Sequence, residues 1–380
     1  MPPDDRTHRP ARRVGIKDVA ARAGVANATV SRVLSGSADV RADLRERVLR
    51  AAAELDYQPD ILAQSLRRGA TRQVGFIADD LSNHLIADIA TGAESVLRAH
   101  GYSLLVMNSE RDPTLDPANL RVLHARRVDA LMMCPVEEDD PDTVAALRAI
   151  NVPLCVIEGD LPPSVPASYV HSDHRDGMAH ALRHLVGLGH RRIAVVAGPV
   201  RYRSARQRAL GLEDVAGERR RGLVLHHVET ELTPQAARAS TRAALDVPGP
   251  PTAIATGGDG SLPGVIAAID DLGLAIGEDI SLVTSDPGDL GPVFRPPLAA
   301  ITRDGALIGA TAAELLLERI VDPRTGARTV ILPTVFEPRA SVGRVPARRG
   351  AGPVRSPAGT PGALPRPRPA TPRSGTTPRR

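Results

Sequence analysis

The chain has no tryptophan, only three phenylalanines and four tyrosines in 380 residues, two cysteines and a single lysine, Lys17. So few rings leave little for an aromatic core or for a ligand site that works by ring stacking. Cys134 in "ALMMCPV" and Cys155 in "PLCVIEG" each lie in an apolar run without metal-ligand spacing, and both read as small buried hydrophobes. No run reaches the roughly 18 apolar residues of a membrane span. The opening "MPPDDRTHRPARR" carries charge with no apolar segment behind it, so neither a signal nor a transit peptide is expected, and the cytoplasm is the expected compartment.

What is present divides the chain. Its length suits about two to three domains. Residues 1–72 hold 14 basic against 9 acidic side chains, and residues 346–380 hold 8 arginines and no acid, so within the net +4 the middle carries −9. Basic ends on an acidic middle suit a polyanion-binding head on a body that phosphates would repel. The last 35 residues are Pro, Gly, Ala, Arg, Ser and Thr with two bulky apolar side chains; they cannot bury enough surface to offset ordering, and a disordered basic tail is expected.

Near the N-terminus the apolar spacing predicts three short helices rather than strands. "IKDVAARA" puts Val19, Ala20 and Ala23 on one face, Gly24 supplies a turn, and "ATVSRVL" puts Val30, Val33 and Leu34 on one face. A third helix, from about Ala42 to Leu55, adds Leu44, Val48, Ala51, Ala52 and Leu55. From Val74 the texture changes. "VGFIAD", "SLLVMNS", "ALMMCPV", "LCVIEG", "RIAVVAG", "GLVLHHVE", "TAIATGG" and "ISLVTSD" read as strands of parallel sheets buried on both faces, alternating with helical segments such as "ATGAESVLRAHG" and "DTVAALRAIN". Two successive β-α series predict an α/β protein with two doubly wound lobes.

The motifs "IKDVAARAGVANATVSRVLSG", "YQPDILAQSLRRG", "GFIADDLSNHLIADIATGAE", "HARRVDALMM", "GLGHRRIAVVAGP", "LGLAIGEDISLVTSD" and "PPLAAITRD" follow one another from about Ile16 to Gly343. In that order they resemble the lactose/galactose repressor family of bacterial transcription regulators. The resemblance implies a helix-turn-helix head and a hinge helix joined to a two-lobed body like the periplasmic binding proteins. The implied domains are an N-terminal extension 1–14, a head 15–58, a hinge and linker 59–72, a body 73–345 and the tail 346–380. Within the body, lobe one covers about 73–171 plus 303–330, and lobe two about 172–302 plus 331–345.

The second helix of a helix-turn-helix enters the major groove with its N-terminal residues toward base edges. The resemblance makes Asn27, Ala28 and Arg32 the base-reading residues; Thr29 and Ser31, with short hydroxyls near the helix start, suit phosphate contacts. Ala26 replaces the serine usual in the family, which would cap this helix; Asn27 is a good cap itself, so the expected helix start can shift by one residue. In the hinge, Asp60 would cap a helix too short to be stable alone. The resemblance implies that two hinges pair on the operator, with Ala63, Leu66 and Arg67 at the minor groove, Leu66 as a wedge and Arg67 and Arg68 following the phosphates.

By resemblance, a small sugar-like or other polar effector binds in the cleft between lobes and is met by Ser82, Asn83, Asp173, Arg208, Asp259 and Asp286. The expected regulator is a homodimer or larger, probing a pseudo-palindromic operator in the cytoplasm, on the nucleoid, without membrane, metal or other cofactor. "TGGDG" stands where the family commonly has a polar asparagine, and His84, Leu85 and Ile86 stand where aromatics are common, so an anionic effector met by Arg208 and Arg203 is a second reading. A ligand-independent regulator with a drifted body is a third, and a transport-type binding protein a fourth, against which the head argues. No catalytic residue is expected: "GGDGSLPG" lacks the Lys-Ser/Thr ending of a phosphate loop, no GxSxG occurs, and His180 and His184 have zinc-like spacing but no third ligand.

Overall fold

A computed structural model describes residues 14–34, 39–57, 70–218, 220–258 and 260–345. The expected hinge residues Asp60, Ala63, Leu66, Arg67 and Arg68, the effector candidate Asp259 and the basic tail lie outside the described residues.

The head consists of α1 (Ile16–Ala23), α2 (Asn27–Leu34) and α3 (Ala42–Glu54). Its core is made of small side chains, Val19, Ala20, Ala23, Val30, Val33, Val40, Val48, Ala51 and Ala52, which lets three short helices close on one another. Asp18 Oδ2 accepts from Gly15 N at 2.8 Å, so the first turn of α1 holds the chain that enters it. Gly24, at φ 63°, ends α1 in the left-handed conformation. Arg47 from α3 donates to Ala23 O at 2.6 Å and to Gly24 O at 3.3 Å, tying that turn to the third helix.

The chain divides into two units, the first of which includes the head, and their two sheets share one strand order. The first unit runs through Ser172 and returns for Asp304–Leu332. Its sheet contains β1 (Gln73–Ala78), β2 (Ser103–Asn108), β3 (Ala130–Met133), β4 (Leu154–Ile157), β5 (Ser168–Ser172) and β11 (Thr329–Leu332), in the order β11-β5-β4-β3-β1-β2, all parallel. Helices α4 (His84–Ala99), α5 (Leu115–Ala125), α6 (Pro141–Ala149) and α12 (Gly305–Val321) cover it. Val74, Phe76 and Ala78 of β1 pack with α4 and α12, and Ile77 packs on the other face with Leu120, Leu123 and Leu147. A methyl on Gly92 or Gly309 would overlap backbone of the facing helix, so α4 and α12 can pack this closely only with glycine there.

The second unit, Asp173–Arg303 and the chain after Leu332, has β6 (Arg192–Ala197), β7 (Val224–Glu229), β8 (Ala253–Thr256), β9 (Ser281–Ser285), β10 (Ala299–Thr302) and β12 (Val335–Glu337). Their order is β12-β10-β9-β8-β6-β7, with only β10–β12 antiparallel among the described pairs. Its helices are α7 (His174–Gly187), α8 (Arg203–Gly217), α9 (Pro234–Leu245), α10 (Leu262–Asp271) and the short α11 (Leu290–Val293). Met178, Leu182 and Val215 fill one face of this sheet, and Val265, Ile269 and Leu245 the other.

Two sequence expectations need correction. The strands β2 and β7 are not buried on both faces: each lies at a sheet edge and is half exposed, β2 although its composition matches that of the central strands, β7 with two histidines and a glutamate. Four strands, β5, β10, β11 and β12, go unrecognised in the sequence because they are three to five residues long and carry polar side chains at their ends.

Candidate nucleic-acid interface and ligand sites

Helix α2 begins at Asn27. Ala26 O accepts from Thr29 N at 2.9 Å and from Val30 N at 3.2 Å, which puts Ala26 in the cap position. The one-residue shift considered from sequence therefore does not occur, and Asn27 lies inside the first turn. At about 100° per residue, the buried Val30 and Val33 define one side of α2. Ala28, Ser31 and Arg32 fall on the opposite side, with Asn27 and Thr29 at its two margins. Asn27, Ala28 and Arg32 are exposed; Thr29 and Ser31 are half buried. Sequence reasoning missed Lys17, exposed in the first turn of α1, and Arg47, whose backbone bonds fix the turn before α2.

The effector candidates separate by what their side chains already do. Asn83 caps α4, accepting from Leu85 N at 2.9 Å. Ser82 donates from its hydroxyl to Asp80 Oδ1 at 2.7 Å and from its amide at 2.9 Å. Asp80 also pairs with Arg111 at 2.9 Å, and its Ser82 and Arg111 contacts hold its carboxyl below the usual range against the opposing effect of burial. Next to it, Asp79 closes β1 with Oδ1 shut away from solvent and without a hydrogen-bond partner among the described residues. Burial pushes that carboxyl up to about 6, with Arg111 opposing. Behind this loop, Ser109 donates to Asp116 at 2.5 Å, and Asp116 accepts from Val136 N at 3.0 Å.

Asp173 is half buried and caps α7, accepting from Asp176 N at 3.0 Å. Asp286 is buried in a left-handed conformation, φ 42°, directly after β9. Arg303 holds it with Nε at 2.9 Å and Nη2 at 2.6 Å on Oδ2, and with its backbone N at 3.1 Å on Oδ1. The carboxylate expected to meet a ligand thus has a protein partner on each oxygen. Arg208, on α8, is 5% exposed, and its stem runs past Gly257 just after β8, where a Cβ would come within 2.9 Å of Arg208 Cδ.

Sequence reasoning did not find the hydroxyls of Thr256, Ser261 and Ser285. All three residues are buried at the carboxyl ends of β8 and β9 or on the connection into α10, and none of the hydroxyls has a hydrogen-bond partner among the described residues. The available signal was a small polar residue closing each apolar run, in "AIAT" and "SLVTS". His180 and His184 form no metal site: His180 pairs with Asp176 at 3.2 Å, and the His184 ring lies 5.2 Å from that of Phe336. Among the described residues no group of three metal-ligating side chains comes together, and no helix is long and apolar enough to cross a membrane.

Residues 15–60 match the bacterial regulatory proteins of the lacI family, and residues 182–342 match the periplasmic binding protein-like domain. The chain is 32% identical over 327 residues to the HTH-type transcriptional repressor PurR of Glaesserella parasuis, covering 85% of this chain and 94% of that protein. It is 30% identical over 329 residues to the ribose operon repressor of Haemophilus influenzae, covering 86% and 98%. A lac repressor dimer bound to operator and the anti-inducer ONPF superposes with a TM-score of 0.77 at 30% identity, covering 87% of this chain and all of that one. The chain therefore belongs to the lacI family of bacterial regulatory proteins, DNA-binding regulators of transcription that carry a periplasmic-binding-protein-like body.

Proposed function

We propose that this protein is a sequence-specific transcriptional repressor rather than an enzyme, acting in the cytoplasm as a homodimer on a pseudo-palindromic operator. The observation that carries the DNA-reading part is the geometry of α2: Val30 and Val33 bury one side and leave Ala28 and Arg32 exposed on the other. Arg32 has the reach to meet a guanine bidentately, Asn27 and Ala28 sample neighbouring bases, and Thr29, Ser31 and Lys17 set register on phosphates. Ala63, Leu66 and Arg67 of the hinge supply the minor-groove contacts, a role supported by the family resemblance.

A small polar metabolite modulates operator affinity by binding one conformation of the body better than another. Arg208 meets it directly, with Ser82, Asn83 and Asp259 as further contacts. Asp173 and Asp286 serve the same site by holding a helix and a strand end in place. Support for sensing comes from the relatives, among them a lac repressor with the anti-inducer ONPF.

The test is selection from a pool of randomised duplexes by the full chain. Enrichment of a two-fold symmetric site is expected, and Arg32→Ala should lose about 1–3 kcal/mol of discrimination at one base pair of each half-site. Binding without enrichment, or an Arg32→Ala chain with unchanged base preference, contradicts the assignment.

A further inference from the structure

We infer that the carboxyl edge of the second unit's sheet is built to hold an oxyanion, so that the metabolite sensed by this protein carries a carboxylate or phosphate group. The inference rests on the ligand-sensing role proposed above and names the chemistry of that ligand.

In the order β7-β6-β8-β9, the chain leaves β6 toward one side of the sheet and later continues from β8 toward the other. Such a reversal opens a crevice at the carboxyl ends of the two adjacent strands, where doubly wound sheets bind ligands. The connection after β6 leads into α8, whose first residue is Arg203, and the connection after β8 leads through Ser261 into α10. Two helix N-termini therefore open at the crevice, α8 with 15 residues and α10 with 10, and their dipoles favour negative charge.

Two buried guanidiniums lie at this edge, and the carboxylate next to it in sequence, Asp286, is already taken up by Arg303. Arg203 is 8% exposed and Arg208 5%, and a guanidinium has five N–H donors and no acceptor. At the carboxyl ends of β8 and β9 and on the connection into α10, Thr256 and Ser261 are fully buried and Ser285 nearly so, each with a hydroxyl that lacks a partner among the described residues. Ser261 occupies the cap position of α10 yet makes no capping bond, so its hydroxyl remains available. Burying unsatisfied hydroxyls is costly, and a ligand that only accepts hydrogen bonds would satisfy them. A carboxylate or phosphate only accepts, whereas each hydroxyl of a neutral sugar also brings a donor that needs its own acceptor. Stacking gives a sugar little compensation: the ring of Tyr202, next to Arg203 in sequence, faces the Arg201 guanidinium at 4.7 Å. This donor-rich edge also stands out against a body segment, residues 73–345, that carries −9 overall.

The experiment compares matched probes on the full-length chain at constant ionic strength: D-ribose, D-ribonate and D-ribose 5-phosphate; D-glucose, D-gluconate and D-glucose 6-phosphate; and inorganic phosphate alone. Melting temperature and titration calorimetry are the readouts. An anionic probe should raise the melting temperature at millimolar concentration while its neutral parent does not, and the carboxylate and phosphate arms show which oxyanion is held. Arg203→Gln should weaken that probe at least tenfold. Ser261→Ala, which removes only a hydroxyl, should weaken it severalfold and tests the same edge if Arg203→Gln does not fold. Three results overturn the inference: neutral sugars stabilising as much as their anionic partners, no anion producing a shift, or both variants binding unchanged. A neutral sugar that stabilises the chain and releases DNA rejects the oxyanion alone, whereas a free chain that fails to select DNA rejects the proposed function itself.

Discussion

The two body units repeat not only a strand order but two small devices. Directly after β4 and directly after β9, which hold equivalent places in their sheets, an acidic residue takes the left-handed conformation: Glu158 at φ 62° and Asp286 at φ 42°. Each holds the residue at the end of the next strand, where the chain leaves its unit. Glu158 accepts from the Ser172 hydroxyl, and Asp286 accepts from Arg303. The helix that follows each crossing is capped by an aspartate, Asp173 for α7 and Asp304 for α12. The scaffold is thus written twice, in nearly the same residues.

The strand ends at the chain-reversal points are not repeated. In the first unit they carry Asp79 and Asp80, with Ser82, Asn83 and Arg111 already engaged around them. In the second they carry Thr256 and Ser285, which with Ser261 have hydroxyls without a partner among the described residues, and the helix after β6 brings the buried Arg203 and Arg208. The repeated contacts of Asp173 and Asp286 are accounted for by the shared fold, and the proposed ligand-binding role rests instead on Arg208 and the hydroxyls of the second unit.

The comparison can be broken most forcefully at its repeated device. Asp286→Ala leaves Arg303, 11% exposed, without its buried partner, and removing one half of a buried pair costs about 3–5 kcal/mol. Chemical denaturation should show that loss, whereas Glu158→Gln, which keeps an acceptor for the Ser172 hydroxyl, should cost much less. Equal losses would mean that the two anchors are not distinguished by charge.

A smaller effect, with a defined pH window, is expected at Asp79. Its carboxyl is raised from 3.8 to about 6 by burial, so between those values the folded chain keeps a proton that the unfolded chain has lost. Stability contributed by this group therefore falls as pH rises through the window, and the full penalty applies above about 6. Asp79→Asn should stabilise the chain at pH 7.5, by at most about 3 kcal/mol, and change little at pH 3.5. A gain that is the same at both pH values would exclude burial of the charge as its cause.

The smallest effect belongs to the head. Ala26→Ser supplies the missing capping oxygen to α2 and should add ~1 kcal/mol, read as about fivefold slower hydrogen exchange of the α2 amides in the full chain. Unchanged exchange would show that the first turn gains nothing from a cap.

Much of this was legible before the fold was known. Apolar spacing located α1, α2 and α3 within a residue or two because small side chains at helical intervals have no other face to bury. The central strands were equally plain. The edge strands β2 and β7 were misjudged because exposure depends on a strand's place in the sheet, and "SLLVMN" reads like a central strand. Of the four short strands, β11 and β12 join their sheets only after the chain has crossed between units, which local pattern does not encode. The unpartnered hydroxyls escaped notice for a similar reason: Thr256, Ser261 and Ser285 are ordinary residues until tertiary packing denies them solvent and a partner.

Reading of sequence by the α2 face is the central claim, and the ratio of two affinities tests it most directly. Fluorescence anisotropy at one fixed salt concentration would compare the full chain on its selected duplex with the same duplex carrying scrambled half-sites. The account predicts at least a 10³-fold preference for the selected site, about 4 kcal/mol. Equal affinities, falling together as salt rises, would mean that the head binds phosphates alone and would contradict it.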